Sequence, residues 1–327
     1  PPPPPATQCR KSRFVNFEDL FAHFGQHTVD GLTKGAIYAL VALGYTLVYG
    51  VLRLINFAHS EVFMVGTFAI LGVWTFFGLT GPPSLGAVIL FLAAGLLAGA
   101  VASGGMALAV ERIAYRRLRR MNAPPLIFLI TAIGVSLVLS EIFGLWQGRL
   151  VSGVPALITQ VPVVAFAGTT ITNIQILVFV SALAMMLGLD QFINRTRYGR
   201  GVRAVAQNRD TAALMGVNQD RVIMLIFVLG GIMAGFAALL WDLSIGITKF
   251  DIGFIIGLKA FTAAVLGGIG NLRGALLGGL LLGIVETYGA TVTTSSWEDV
   301  FAFVVLVLVL MFRPTGLLGE SLGRARA

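Results

Sequence analysis

The chain has 327 residues, 57% of them apolar and 12% charged, with a mean hydropathy of +0.88. Soluble domains carry about 25% charged residues, and a bilayer-crossing helix needs roughly 20 apolar ones, so a soluble globular domain is excluded and an all-α membrane protein predicted. The net charge of +8 does not point to nucleic acid, because the basic residues lie in short segments between apolar runs, where the positive-inside rule accounts for them.

Residues 1–13, "PPPPPATQCRKSR", are proline-rich and then basic, with no apolar core, and read as a disordered leader. Cys9 is the sole cysteine, so neither an intrachain disulfide nor a thiolate metal site is available. Residues 14–30 carry Phe14, Phe17, Phe21 and Phe24 at helical spacing, which predicts an amphipathic helix on the membrane surface. From residue 31 to 318 the chain reads as one transmembrane domain, a bundle of about nine helices at 31–52, 57–79, 85–110, 126–147, 174–193, 222–243, 252–270, 275–293 and 300–312. A tail, 319–327, follows.

Arginine placement orients the bundle. "ERIAYRRLRRMN" holds five arginines and one acid; the segment Asp190–Arg221 holds six arginines and three acids. Both are expected to be cytoplasmic, as is the tail, whereas residues 148–173, with Arg149 alone, face outside. Nine crossings then place the N-terminus outside and the C-terminus in the cytoplasm. Small residues recur every fourth position at Gly95, Gly99 and Ser103, at Gly231 and Gly235, and at Gly270, Gly274 and Gly278. These stripes predict close helix packing within one subunit. The glycines of "AVLGGIGNLRGALLGG", with Asn271 and Arg273, predict a broken helix.

No catalytic constellation stands out. The three histidines form no HExxH pair, and no GxSxG elbow or GxxxxGK[ST] phosphate loop is present. Ionisable residues inside spans are costly and therefore candidates for function. Lys259 falls about 12 Å along its helix from Asp251, at ~1.5 Å per residue, and Glu286 is about as deep in the next span. A neutral ion pair between them and a substrate contact are both open readings. Glu141, Asp242 and Lys34 sit nearer span ends and read as interface anchors.

The stretch "LRLINFAHSEVFMVG", residues 52–66, interrupts two apolar runs with Arg53, Asn56, His59 and Glu61. It reads either as a tight cytoplasmic turn with Asn56 capping the next helix, or as an unwound joint lining a solvent-filled path. The segment 194–221 is polar yet not low-complexity. Asp210 is expected to cap a short helix "TAALM" that Gly216 stops, after a helical turn "GVRAVAQ". Two short amphipathic helices on a loop suit docking into a partner's groove.

Several long stretches resemble the LivH-type permease subunit of branched-chain amino acid ABC importers. They are "GLTKGAIYALVALGYTLVYGVLRLINFAH", "ERIAYRRLR", "RYGRGVRAVAQNRDTAALMGVNQDRVI" and "GLKAFTAAVLGGIGNLRGALLGGLLLGIVE", and the likeness runs from about Phe17 to Leu318. The family's INFAHGE motif stands here as Ile55–Glu61 with Ser60 in place of glycine, a change that matters if the position needs a conformation reserved for glycine. The resemblance implies a multi-pass protein of the plasma or inner membrane, paired with a second homologous permease, two cytoplasmic ATPases and an extracytoplasmic amino-acid-binding protein. ATP and magnesium would be bound by the ATPases, and no cofactor by this chain. It further implies a translocation path with Asn56, Phe57, His59, Glu61, Lys259 and Thr262 as candidate lining. Arg200, Gly201, Arg203, Ala204, Ala206, Asp210, Ala213, Leu214 and Gly216 would form the loop coupled to the ATPases, and residues 148–173 would meet the binding protein. Competing readings are an ion-coupled secondary transporter working alone, and an ABC permease for amides or urea.

Overall fold

A computed structural model describes residues 23–79, 81, 83–166 and 168–319. The expected leader, residues 14–22 of the expected surface helix and the tail beyond Gly319 lie outside the described residues. The helices are α1 (Phe24–Leu52), α2 (His59–Phe76) and α3 (Leu85–Val110), the last continuing through a π-helical turn, Glu111–Tyr115, into α4 (Arg116–Arg120). Then come α5 (Pro125–Gln147), α6 (Asn173–Arg195), α7 (Arg197–Gln207), α8 (Arg209–Leu214), α9 (Gln219–Ser244), α10 (Ile252–Gly267), α11 (Leu272–Val292) and α12 (Glu298–Phe312). Each predicted span contains one helix. Among the described residues seven are long and apolar enough to cross a membrane, while α10 and α12 have 16 and 15 residues. Phe24–Asp30, expected in a separate surface helix, are the first turns of α1.

Which residues meet fixes the helix directions. Gly31 lies against Ile284 and Gly35 against Leu280, so α1 and α11 are antiparallel. Ser103 donates to the Val62 carbonyl and Trp74 to that of Phe91, so α2 and α3 are antiparallel. Gly231 faces Ser103 and Gly235 faces Gly99, reversing α9 against α3. Lys259 meets Glu286 and Gly267 meets Gly274, reversing α10 against α11. Ser136 reaches Glu61 and Phe143 reaches Phe68, so α5 runs with α2. Gln175 binds Asp30 and Asp190 binds Arg273, so α6 runs with α1. Asp299 meets Lys259 and Leu317 meets Leu266, so α12 runs with α10. Among the described residues the nine long helices therefore alternate in direction, and α1 begins at the end opposite to that where α12 finishes. The arginines of 112–120 and 195–221 gather at the end where α1 terminates, hereafter the basic end.

Packing inverts the soluble pattern. α1, α2 and α9 are mostly buried, whereas α3, α5 and α6 turn aliphatic faces such as Leu126, Ile130, Ile133 and Leu137 outward. With hydrocarbon as solvent, burying leucine gains little, so the interior is built on close backbone approach and satisfied polar groups. The small-residue stripes of α3 and α9 face each other within this chain: a Cβ on Gly231 would lie 2.7 Å from the Ser103 carbonyl oxygen.

The predicted glycine-rich break is a turn at the basic end rather than at depth. α10 stops at Gly267, and Gly268 and Gly270 take φ of +107° and +100°. Asn271 caps α11, its Oδ1 accepting from the Arg273 and Gly274 amides at 3.1 and 3.2 Å. The amides of Leu317 and Leu318 donate to Leu266 and Gly267 at 2.8 and 3.0 Å, clipping the end of the described chain onto α10.

Strand structure at the opposite end was not anticipated. β1 (Ser152–Gly153) pairs antiparallel with β4 (Ile247–Thr248), and β2 (Pro162–Phe166) with β3 (Thr169–Thr172) in a hairpin that exposes Val163 and Phe166. Thr172 then caps α6 in a reciprocal box with Gln175.

Candidate functional site

Three polar groupings sit within or beside the bundle. The first surrounds the joint between α1 and α2. α1 ends at Leu52, Arg53 adopts the left-handed region at φ 54°, and helix resumes only at His59. Gly44 and Gly230 flank the His59 ring. Gly44 is eight residues short of the end of α1, so His59 lies about 12 Å inside the basic end at ~1.5 Å per residue. The six residues 53–58 thus climb back into the bundle before α2 starts, which fits the unwound-joint reading better than a tight turn at the surface. Asn56 is not a side-chain cap: its Oδ1 accepts from Tyr115 Oη at 2.8 Å, while its carbonyl accepts from the His59 amide at 3.1 Å.

Around this joint Phe57 is half-buried against Phe261, ring centroids 5.6 Å apart. His59 is buried, edge-on to Tyr45 at 5.0 Å, with Nε2 unpartnered. Glu61, also buried, accepts from Ser136 Oγ at 3.0 Å through Oε1 and leaves Oε2 without a donor. Ser60, where the resembling motif has glycine, is helical and needs no glycine conformation. What the position requires is small size, because Gly253 and Gly257 of α10 close on it; a Cβ on Gly253 would lie 2.6 Å from the Ser60 carbonyl oxygen.

The second grouping is ionic. Lys259 Nζ lies 2.7 Å from Glu286 Oε1 and 2.7 Å from Asp299 Oδ1, and Tyr38 Oη donates to Glu286 Oε1 at 3.0 Å. Lys34 pairs with Glu298 beside it. Lys34 of α1, expected as an interface anchor, is a half-exposed member of that ion pair. Asp242 is no anchor: it is buried, with both carboxylate oxygens unpartnered. Glu141 fits that role, exposed and paired with Arg149 at 2.6 Å. Thr262 is buried but turned inward on its own helix, donating to Leu258 at 2.9 Å. A cavity of about 300 Å³ opens between α1, α9, α10 and α12, with Lys34, Tyr38, Lys259 and Glu298 on its wall among isoleucines.

The third grouping is at the basic end. Thr196 caps α7, which buries Gly199, Val202 and Val205, leaves Gly201, Ala204 and Ala206 half-buried, and exposes Arg200 and Arg203. Arg203 reaches back to Asn194 Oδ1 at 2.9 Å. The cap of α8 is Asn208, whose Oδ1 accepts from the Thr211 amide at 3.0 Å; Asp210, expected in that role, is the exposed acid of the first turn. Asn208 wins because it holds the extended backbone that a cap needs, with Asp210 already inside the helix. Gly216, at φ +82°, stops the helix, and Ala213, Leu214 and Met215 are exposed.

Two links join this surface to the joint. The Arg209 guanidinium donates to the carbonyls of Val51 and Leu52 at 3.1 and 2.8 Å, capping α1. Burial, with Arg119 and Arg53 nearby, lowers its pKa from the usual guanidinium value. Asp220 binds Arg116 and Arg119 at 3.2 and 2.9 Å, and Arg119 binds the buried Glu111 at 2.7 Å. That network holds the π-helical turn carrying Tyr115, hence Asn56. Sequence reasoning missed Tyr115, Ser136 and Arg209. Tyr115 and Arg209 do lie inside the motif-like stretches, but nothing in their spacing tells what they touch.

The arrangement offers buried polar side chains at the joint and, separately, paired charges beside a cavity. Among the described residues no group of three or more His, Cys, Asp or Glu could hold a metal ion. A family described as the permease component of branched-chain amino acid transport systems matches residues 27–310. The chain is 44% identical over 301 residues to the high-affinity branched-chain amino acid transport system permease protein BraD of Pseudomonas aeruginosa, covering 91% of this chain and 96% of that one. It is 40% identical over 309 residues to the corresponding LivH of Escherichia coli K12, covering 92% and 97%. A probable LivH of Methanocaldococcus jannaschii is 25% identical over 293 residues, covering 86% and 89%. No solved structure matches significantly.

Proposed function

The chain belongs to the family of branched-chain amino acid transport system permease components, and from that premise we propose that it is the membrane-embedded permease subunit of an ATP-driven importer for branched-chain amino acids. The single observation that carries the mechanism is the bonding of Arg209, on the arginine-rich loop, to the end of α1 where the unwound joint begins. Exposed Ala213, Leu214 and Met215 give that loop an apolar face for a partner's groove. The partner is an ATPase pair, which binds ATP and magnesium, and a second permease completes the path.

In this reading the basic end is cytoplasmic, following the positive-inside rule. Phe24 and the β2–β3 hairpin then face outside, where exposed Val163 and Phe166 offer a surface to a substrate-binding protein. Nucleotide binding moves α7 and α8; Arg209 and the Asp220 network pass that movement to residues 53–58. Movement follows only if ATP binds the two arrangements with different affinity. The chain itself works as a conduit and not as a catalyst. Uptake of leucine into proteoliposomes tests the proposal. Uptake is expected only when this chain is assembled with a second permease, ATPases and binding protein, with ATP inside; uptake by the chain alone on an ion gradient would overturn it.

A further inference from the structure

The cavity between α1, α9, α10 and α12 has a composition that the family assignment does not explain. Ile245, Ile252 and Ile256 form an aliphatic wall, and Lys34 and Glu298 stand on the same cavity, paired to each other. Their side chains are 35% and 23% exposed, so neither is locked in the interior. Lys259, also on the wall, is already held by Glu286 and Asp299. Lys34 lies 18 residues from the end of α1, so the cavity is about 27 Å from the basic end at ~1.5 Å per residue, in the half where a substrate would enter.

We propose that this cavity is a transit site for an aliphatic α-amino acid, whose carboxylate takes Lys34 and whose ammonium takes Glu298, with its side chain on the isoleucine wall. This rests on the importer reading and adds a place and a selectivity to it. A zwitterion brings one charge of each sign. Opening the Lys34–Glu298 pair therefore leaves no charge uncompensated: one ion pair is exchanged for two within the same cavity. An acidic amino acid would bring a second carboxylate, and the other two cations on the wall are taken, Lys259 by Glu286 and Asp299 and Lys249 by Asp251 at 3.0 Å, so recruiting either would leave an acid of the protein uncompensated. A basic one would set an ammonium against isoleucine. Burying either unpaired charge is costly. Because a pair must open and the ligand must be immobilised, binding is weak, as transit requires.

Cys9 is the sole cysteine, so a reporter thiol can be placed cleanly. In the assembled transporter carrying Cys9→Ser and Ile255→Cys, a cavity-lining position, the rate of modification by methyl methanethiosulfonate is followed with L-leucine, L-aspartate or L-lysine present. Leucine at ten times its dissociation constant for the site is expected to slow modification about tenfold, following the occupied fraction, while aspartate and lysine leave the rate unchanged. Adding Glu298→Gln is expected to abolish the protection. Should Ile255→Cys fail to assemble, Ile245→Cys carries the same measurement. Equal rates with and without leucine, in a transporter that takes up leucine, would overturn the site alone. Failure of the wild-type assembly to take up leucine would remove the importer reading itself.

Discussion

Lys259 and its three neighbours make unequal demands, and mutation should expose the inequality. Lys259→Met leaves Glu286, fully buried, with only the Tyr38 hydroxyl at 3.0 Å. Removing one partner of a buried pair costs about 3–5 kcal/mol. Glu286→Gln is milder, because Lys259 keeps Asp299 at 2.7 Å and Tyr38 can still donate to an amide oxygen; the loss is that of one charged hydrogen bond, about 1.5–3 kcal/mol. In Lys259→Met with Glu286→Leu neither member of the buried pair remains. Asp299, half-exposed, can turn to water, so the double variant should recover most of what Lys259→Met loses. Unfolding free energies in mixed detergent micelles, read by tryptophan fluorescence, give the ranking. If Lys259→Met is no weaker than Glu286→Gln, or the double variant is as weak as Lys259→Met, the pair does not hold the bundle as described.

Arg209→Gln should leave the ATPases hydrolysing ATP but uncouple them from leucine uptake; Arg209→Lys should restore little, since a point charge cannot fork across two carbonyls. Wild-type ratios of uptake to hydrolysis in Arg209→Gln would show that the α1 cap transmits nothing. Ala213→Glu on the exposed face of α8 is expected to fold normally and lose ATPase co-purification, whereas intact complexes would move docking elsewhere. Ser60→Gly should be neutral and Ser60→Val destabilising by about 1–3 kcal/mol through overpacking against Gly253 and Gly257, which denaturation midpoints can check.

Hydropathy reads this fold well because each span must satisfy its own backbone in lipid, so span positions and the two short loop helices were legible. The pairing of β1 with β4 was not, since the two meet across about 95 positions of sequence and local pattern says nothing of such partners. The same limit governs the site. The expectation of an ion pair between Lys259 and Glu286 followed from depth alone. Asp299 was hidden because it precedes an apolar run that begins at Val300. Asp242 looked like an anchor because Trp241 is its neighbour, but the helix turns it inward. Asn56 looked like a cap, yet Tyr115, 59 residues away, holds it.

Among the described residues α1 is made before the other long helices and is the most enclosed of the apolar spans. Its companions arrive late: Tyr38 waits for Glu286, 248 residues downstream, and the carbonyls of Val51 and Leu52 wait for Arg209. During synthesis this glycine-bearing segment must therefore reside among lipids with its polar groups unanswered, held there by its own apolar content. Biogenesis should be most fragile at this step, and a change that makes α1 more polar would be felt at membrane insertion before it is felt in transport.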